Sequence, residues 1–196
     1  MQHTKSVRSV IKRKGALAKK APYFDPDRMV EFFGMVSYAM TEKLVEEIQD
    51  LMHLDRTKEI TMLVTSAGGP SGTAMGFYDT IRSVLKPKLV TIGSGDVDSS
   101  GIIVFLTGDT RYITKNTTLL LHLAGRTFDS GKRYTASEID AIVREDRVKD
   151  FQYASILAER SGGRLTTEQV LAMMEKNTIL TPLELVSYGL ADEILD

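Results

Sequence analysis

Hydrophobic and polar positions along the chain switch repeatedly between a period of two and a period near four. Arg28 to Gly34 (RMVEFFG) is an apolar, strand-like run. Leu44, Ile48, Leu51 and Met52 then recur at helical spacing, which predicts a helix over 40–54 with Thr41 as N-cap and Glu42 in its first turn. Glu59 to Thr65 (EITMLVT) is a short β-rich run closed by the turn signal Ser66-Ala67-Gly68-Gly69-Pro70. A helix is expected over 73–85, a buried strand over 88–92 and an apolar helix over 100–106, with strands at 111–113 and 117–123. The stretch 136–160 reads as a long charged helix, with Asp140 and Arg144, and Glu145 and Lys149, each four residues apart. Its apolar residues, among them Ile139, Val143 and Phe151, form an interrupted stripe suited to docking on another subunit. A helix over 166–176, a strand over 178–180, a short helix from Pro182 and a strand over 192–195 complete the pattern. Strands alternating with helices predict an α/β fold with mostly parallel connections.

Length and charge refine this picture. The 196 residues suit one domain with a small appendage. Residues 1–20 hold seven basic side chains and no acid. The rest of the chain is left with 18 basic against 26 acidic residues, a net of −8 from the totals of 25 and 26. The reading is a basic N-terminal arm over 1–26, hinged at Ala21-Pro22 to Pro26, and a single domain over 27–196. The arm has no interleaved aromatics for stacking on single strands, and neither nucleic acid nor membrane is expected as a partner. There is no cysteine, which removes disulfides, thiolate metal sites and a cysteine nucleophile. No run approaches the ~18 apolar residues of a membrane span, and the N-terminus lacks the apolar core of a secretory signal, so a cytoplasmic location is expected.

Candidate chemistry is sparse. Of three histidines, His3 lies in the arm and His53 beside charged Asp55 and Arg56, while His122 interrupts the apolar run Thr118-Leu-Leu-Leu-His122-Leu-Ala124. It is either a core histidine or a catalytic base at a strand end. Gly93-Ser-Gly-Asp-Val-Asp-Ser99-Ser100-Gly101 follows a strand and enters a helix. A serine there is either an ordinary N-cap or a nucleophile beside free backbone N–H groups that stabilise an oxyanion. The Gly68-Gly69 turn, also after a strand, could bring further donors to the same sheet edge. Ligand spacing for a metal is missing, and no metal is expected.

These motifs together resemble the Clp protease proteolytic subunit, a serine peptidase family of the Clp/crotonase fold. Ser66-Ala-Gly-Gly69 with Tyr78-Asp79-Thr80 resembles the family's Ser-Pro-Gly-Gly turn and Tyr-Asp-Thr helix, and Ser99-Ser100-Gly101 its Ser-Met-Gly. Leu121-His122 resembles the strand-borne base, Tyr188-Gly189-Leu190-Ala191-Asp192 the C-terminal Tyr-Gly-Leu-x-Asp, and the 136–160 helix the handle between rings. The resemblance runs from about Arg28 to the C-terminus. It implies an α/β fold of repeated β-β-α units with a protruding handle helix, the arm being an axial segment.

By the same resemblance Ser99 is the nucleophile, His122 the general base, and the N–H groups of Gly69 and Ser100 the oxyanion hole. The position of the triad acid, counted back from Tyr188, falls on Asn177, whose amide oxygen can accept an imidazole N–H but carries no charge. Met173 takes another position where the family often has an acid, and Asp96 and Asp98 stand where it has small or neutral residues. The function implied is a serine endopeptidase subunit of a self-compartmentalised protease acting on unfolded polypeptides, or else a catalytically impaired, regulatory ring subunit. The implied assembly is a homo-oligomer, a heptamer or tetradecamer, paired with an AAA+ unfoldase. No cofactor is implied, and ATP would enter only through that partner, since the chain has no phosphate-binding loop.

Overall fold

A computed structural model describes residues 22–195, so most of the basic arm lies outside the described residues. Seven strands and six α-helices follow in the order β1 (Met29–Phe33), α1 (Tyr38–Leu54), β2 (Ile60–Ser66), α2 (Ser71–Asp79), β3 (Leu89–Val97), α3 (Gly101–Phe105), β4 (Thr110–Thr114), β5 (Leu119–Leu121), α4 (Ala136–Arg160), α5 (Thr167–Glu175), β6 (Thr178–Leu180), α6 (Pro182–Ser187) and β7 (Glu193–Leu195). A wide, π-type turn over Thr80–Leu85 prolongs α2 and ends at Lys86, in the left-handed region.

Strands β1, β2, β3, β4 and β7 form one parallel sheet in that order, while β5 and β6 pair antiparallel as a small second sheet. Parallel pairing requires a crossover between neighbours, and α1, α2 and α3 supply the first three. The central strands are therefore covered on both faces, which is why β2 reads as a nearly unbroken apolar run. Phe32, Met62, Val64, Ile102, Ile103, Phe105 and Leu106 are fully enclosed in this core. This is the mixed α/β architecture of the Clp/crotonase fold.

Most expected elements are present, with instructive shifts. The long helix has the expected bounds, because Thr135 and Glu138 form a reciprocal capping box at its start. Its buried residues, Tyr153, Ala154 and Leu157, all fall in its C-terminal half, so the N-terminal half projects from the body. Helix α1 begins earlier than expected: Ser37, not Thr41, is the N-cap and accepts the Met40 N–H. Thr41 instead bonds back to the carbonyls of Ser37 and Tyr38 from inside the helix. Strand β3 runs five residues past the expected end, through a register shift against β2 between Val64 and Ser66. Among the described residues, no helix is long and apolar enough to cross a membrane.

Candidate active site

The extended end of β3 carries the chain to Ser99 and directly into α3. Ser99 has φ +53°, a left-handed conformation that a residue with a Cβ adopts only when its surroundings hold it. Three contacts do so. The Ser99 N–H donates to the Leu120 carbonyl (2.9 Å), its carbonyl accepts the Ile102 N–H (3.0 Å), and the buried Tyr153 hydroxyl donates to that same carbonyl (2.8 Å). Burial pushes the Tyr153 phenol far above its ordinary range, so it stays a donor. The Ser99 hydroxyl is left without a hydrogen bond among the described residues, half-exposed at the mouth of a strand-to-helix turn.

The turn after β2 reaches the same place. Val36 N–H donates to the Gly68 carbonyl (2.8 Å), and the Ser100 hydroxyl donates to the Gly69 carbonyl (2.9 Å), which fixes the plane of the peptide beyond Gly69. Neither the Gly69 N–H nor the Ser100 N–H finds an acceptor among the described residues. Both glycines are required here. A Cβ on Gly68, at φ +94°, would stand 2.6 Å from the Ser99 Cβ, and one on Gly69 would stand 2.3 Å from the Val36 carbonyl oxygen. Gly69→Ala is therefore expected to displace the turn and lower peptide turnover by about 10²–10³, the cost of losing an oxyanion donor. The check is kcat for a fluorogenic peptide alongside the variant's circular dichroism.

His122 follows β5, the strand that accepts the Ser99 N–H at Leu120. It is half-buried at the wall of a cavity, not in the core. Its Nδ1 lies 2.7 Å from the Leu123 carbonyl oxygen. A carbonyl can only accept, so Nδ1 carries the proton and Nε2 presents its lone pair. Ser99, Ser100, Gly69 and His122 all line this cavity of about 370 Å³. The Ser99 hydroxyl and the His122 ring are not hydrogen-bonded to each other, a looseness common before substrate binds.

Asn177 is not brought to this place. It lies exposed at the end of α5, in a left-handed conformation with its N–H on the Met174 carbonyl, and is not among the residues lining the cavity. Met174 lines the cavity from that side, and four charged residues, Arg126, Asp146, Lys149 and Asp150, line it from the loop after β5 and from α4. Arg126 pairs with Glu145 (2.6 Å) and Asp146 (2.8 Å), and Lys149 with Glu145 (2.6 Å). Asp98 turns its carboxylate to the Leu120 N–H (2.8 Å), and burial raises its carboxyl above the ordinary aspartate value. Sequence reasoning missed Tyr153 and Asp150, both on the helix read as charged with an interrupted apolar stripe. Only the break in the charge pattern at Tyr153 marked that helix as half covered.

Comparison with known proteins gives the family. The family model for the Clp protease matches residues 16–196, and the chain belongs to the Clp protease family. It is 33% identical over 181 residues to the ATP-dependent Clp protease proteolytic subunit 2 of Pseudomonas aeruginosa, covering 91% of this chain and 86% of that protein. It is 28% identical over 155 residues to proteolytic subunit 1 of Thermobifida fusca, covering 78% and 67%, and 30% identical over 153 residues to the proteolytic subunit of Dehalococcoides mccartyi, covering 76% and 73%.

Proposed function

We propose that this chain is a serine endopeptidase subunit of a self-compartmentalised Clp-type protease, hydrolysing unfolded polypeptides inside a ring chamber. The observation that carries this reading is the gathering, in one cavity, of a serine held in the left-handed region, two backbone N–H groups without acceptors among the described residues, and a histidine whose Nδ1 is already engaged. In the first step His122 Nε2 takes the Ser99 hydroxyl proton as the oxygen attacks the scissile carbonyl carbon. The Gly69 and Ser100 N–H groups receive the oxyanion, and the imidazolium returns the proton to the leaving amine as the C–N bond breaks. Water, deprotonated by the same nitrogen, then attacks the acyl carbon, and the imidazolium returns that proton to the Ser99 oxygen as the ester C–O bond breaks and the acid leaves. No metal or cofactor takes part, and ATP enters only through a partner AAA+ unfoldase. The relatives' printed names, ATP-dependent proteolytic subunits, favour such a partner, and a cytoplasmic setting belongs to the same proposal.

Assembly belongs to the same proposal. Ile139, Val143, Val148 and Phe151 stand exposed along α4, more apolar surface than a lone helix usually leaves to solvent. A homo-oligomeric ring, heptamer or stacked pair of heptamers, would cover it. Light scattering at micromolar concentration is expected to give a ring-sized mass, and the same preparation to cleave a fluorogenic peptide. A monomer without peptidase activity would contradict the reading.

One observation favours the second reading, a ring subunit with an impaired site: among the described residues no carboxylate hydrogen-bonds the His122 ring. In that case rings form and Ser99 stays unreactive.

A further inference from the structure

A serine–histidine pair needs two services from its surroundings. The imidazole must be held in one tautomer, and the positive charge it gains in the transition state must be met. The Leu123 carbonyl performs the first through Nδ1. It carries no charge, so the second falls to another group. The carboxylates lining the cavity are Asp146 and Asp150, and they differ in what they already hold. Asp146 is paired with Arg126, which also takes Glu145, and Lys149 is spent on Glu145. Both cations of this wall are therefore occupied.

Asp150 has no cation on it among the described residues. Its Oδ1 accepts the Ala124 N–H at 2.8 Å, two residues beyond His122. On the opposite side, Asp98 accepts the Leu120 N–H, two residues before His122. The His122 segment is thus strapped between two carboxylates, of which only Asp150 faces the cavity. We propose that Asp150, reaching in from the long helix α4, is the positioning residue that supplies the negative charge for the His122 imidazolium, dividing the work of a triad acid with the Leu123 carbonyl.

Burial raises the Asp150 carboxyl above the ordinary aspartate value, nearby Asp146 adds to this, and the Ala124 N–H and His122 act against it. A carboxylate held by an arginine or lysine would show the opposite balance. The other carboxylate that meets the ring's charge is Asp98, just after β3 and beside Asp96, while Arg126, Glu145, Asp146 and Lys149 are satisfied among themselves. In the proposed step no proton passes to Asp150.

The inference rests on Ser99 and His122 being the peptidase pair, and the experiment separates the two. Asp150→Asn keeps an acceptor for the Ala124 N–H and removes only the charge. In the full-length assembled protein it should lower kcat for a fluorogenic peptide about 10–100-fold with KM within about twofold. The acid limb of kcat/KM should move down by about one pH unit, since an imidazolium without its counter-charge loses its proton more readily. Asp150→Glu, with the charge one methylene further out, should regain part of the rate. The independent readout is a pH titration of ¹³C-histidine-labelled protein. His122 should protonate at lower pH in Asp150→Asn than in the wild type whether or not peptide is cleaved. Superimposable His122 titrations, or an Asp150→Asn variant as fast as the wild type, would overturn the inference. A shifted His122 in a wild type that cleaves nothing would keep Asp150 as its counter-ion and place the failure on the peptidase reading alone.

Discussion

Ser99→Ala is expected to abolish peptide hydrolysis, lowering kcat by at least about 10³ and by as much as ~10⁶, while leaving the subunit folded and assembled. The loss is chemical, because the Ser99 side chain has no structural partner to lose: its oxygen makes no hydrogen bond among the described residues. The backbone strain at φ +53° is the same for alanine as for serine, since both carry a Cβ. The contacts that enforce it, from Leu120, Ile102 and Tyr153, all use Ser99 backbone atoms and survive the substitution. A stability change within about 0.5 kcal/mol follows. Peptide turnover and chemical unfolding of the same preparation check the two halves together. Residual turnover above roughly one part in a thousand would point to a different nucleophile.

His122→Ala should be nearly as damaging, with a loss of about 10³ or more in kcat and little effect on the fold. The ring is half-exposed, its one hydrogen bond among the described residues runs to the carbonyl of the next residue, and its removal opens the cavity wall without emptying the core. This distinguishes it from a histidine whose role is packing, for which truncation typically costs 2 kcal/mol or more. The decisive comparison is turnover per folded molecule. If His122→Ala unfolds the protein while the surviving fraction cleaves at the wild-type rate, the histidine is structural and the proton has another acceptor.

Local signals decided which parts of this fold were legible in the sequence. The helix over 136–160 was readable at its start because Thr135 and Glu138 form a local capping box, and at its end because Gly162 and Gly163 follow in the left-handed region. The start of α1 was misplaced because Ser37 and Thr41 are both good caps one turn apart. The choice between them was made outside the helix, by the pairing of Val36 with Gly68. Strand β3 was cut short at Gly93-Ser94-Gly95 because glycines there look like a turn. In the fold Gly93 passes close under Ile113, Thr117 and Val97, where a Cβ would crowd its neighbours, and the Thr117 hydroxyl caps its carbonyl.

The site divides in the same way. Ser99, Ser100, Gly69 and His122 stand at ends of strands, where parallel topology gathers residues along one sheet edge, so pattern pointed to their segments and the family resemblance chose the individual residues. Asn177 was singled out by counting along the chain, and such counting carries no information on which way a helix end faces. Asp150 lies 28 residues from His122 in the chain and is joined to its segment through the Ala124 N–H. Contacts of that range are set by how α4 packs on the body, and no local pattern records them.

The central claim is that Ser99 is an activated nucleophile, and covalent labelling tests it most directly. Treatment of the assembled protein with a fluorophosphonate, followed by digestion and mass spectrometry, should place one adduct per subunit on Ser99. The adduct should be lost in Ser99→Ala and form much more slowly in His122→Ala. Intact rings with no adduct on Ser99, under conditions that label a control serine peptidase, would contradict the account and leave the chain as a structural or regulatory ring subunit.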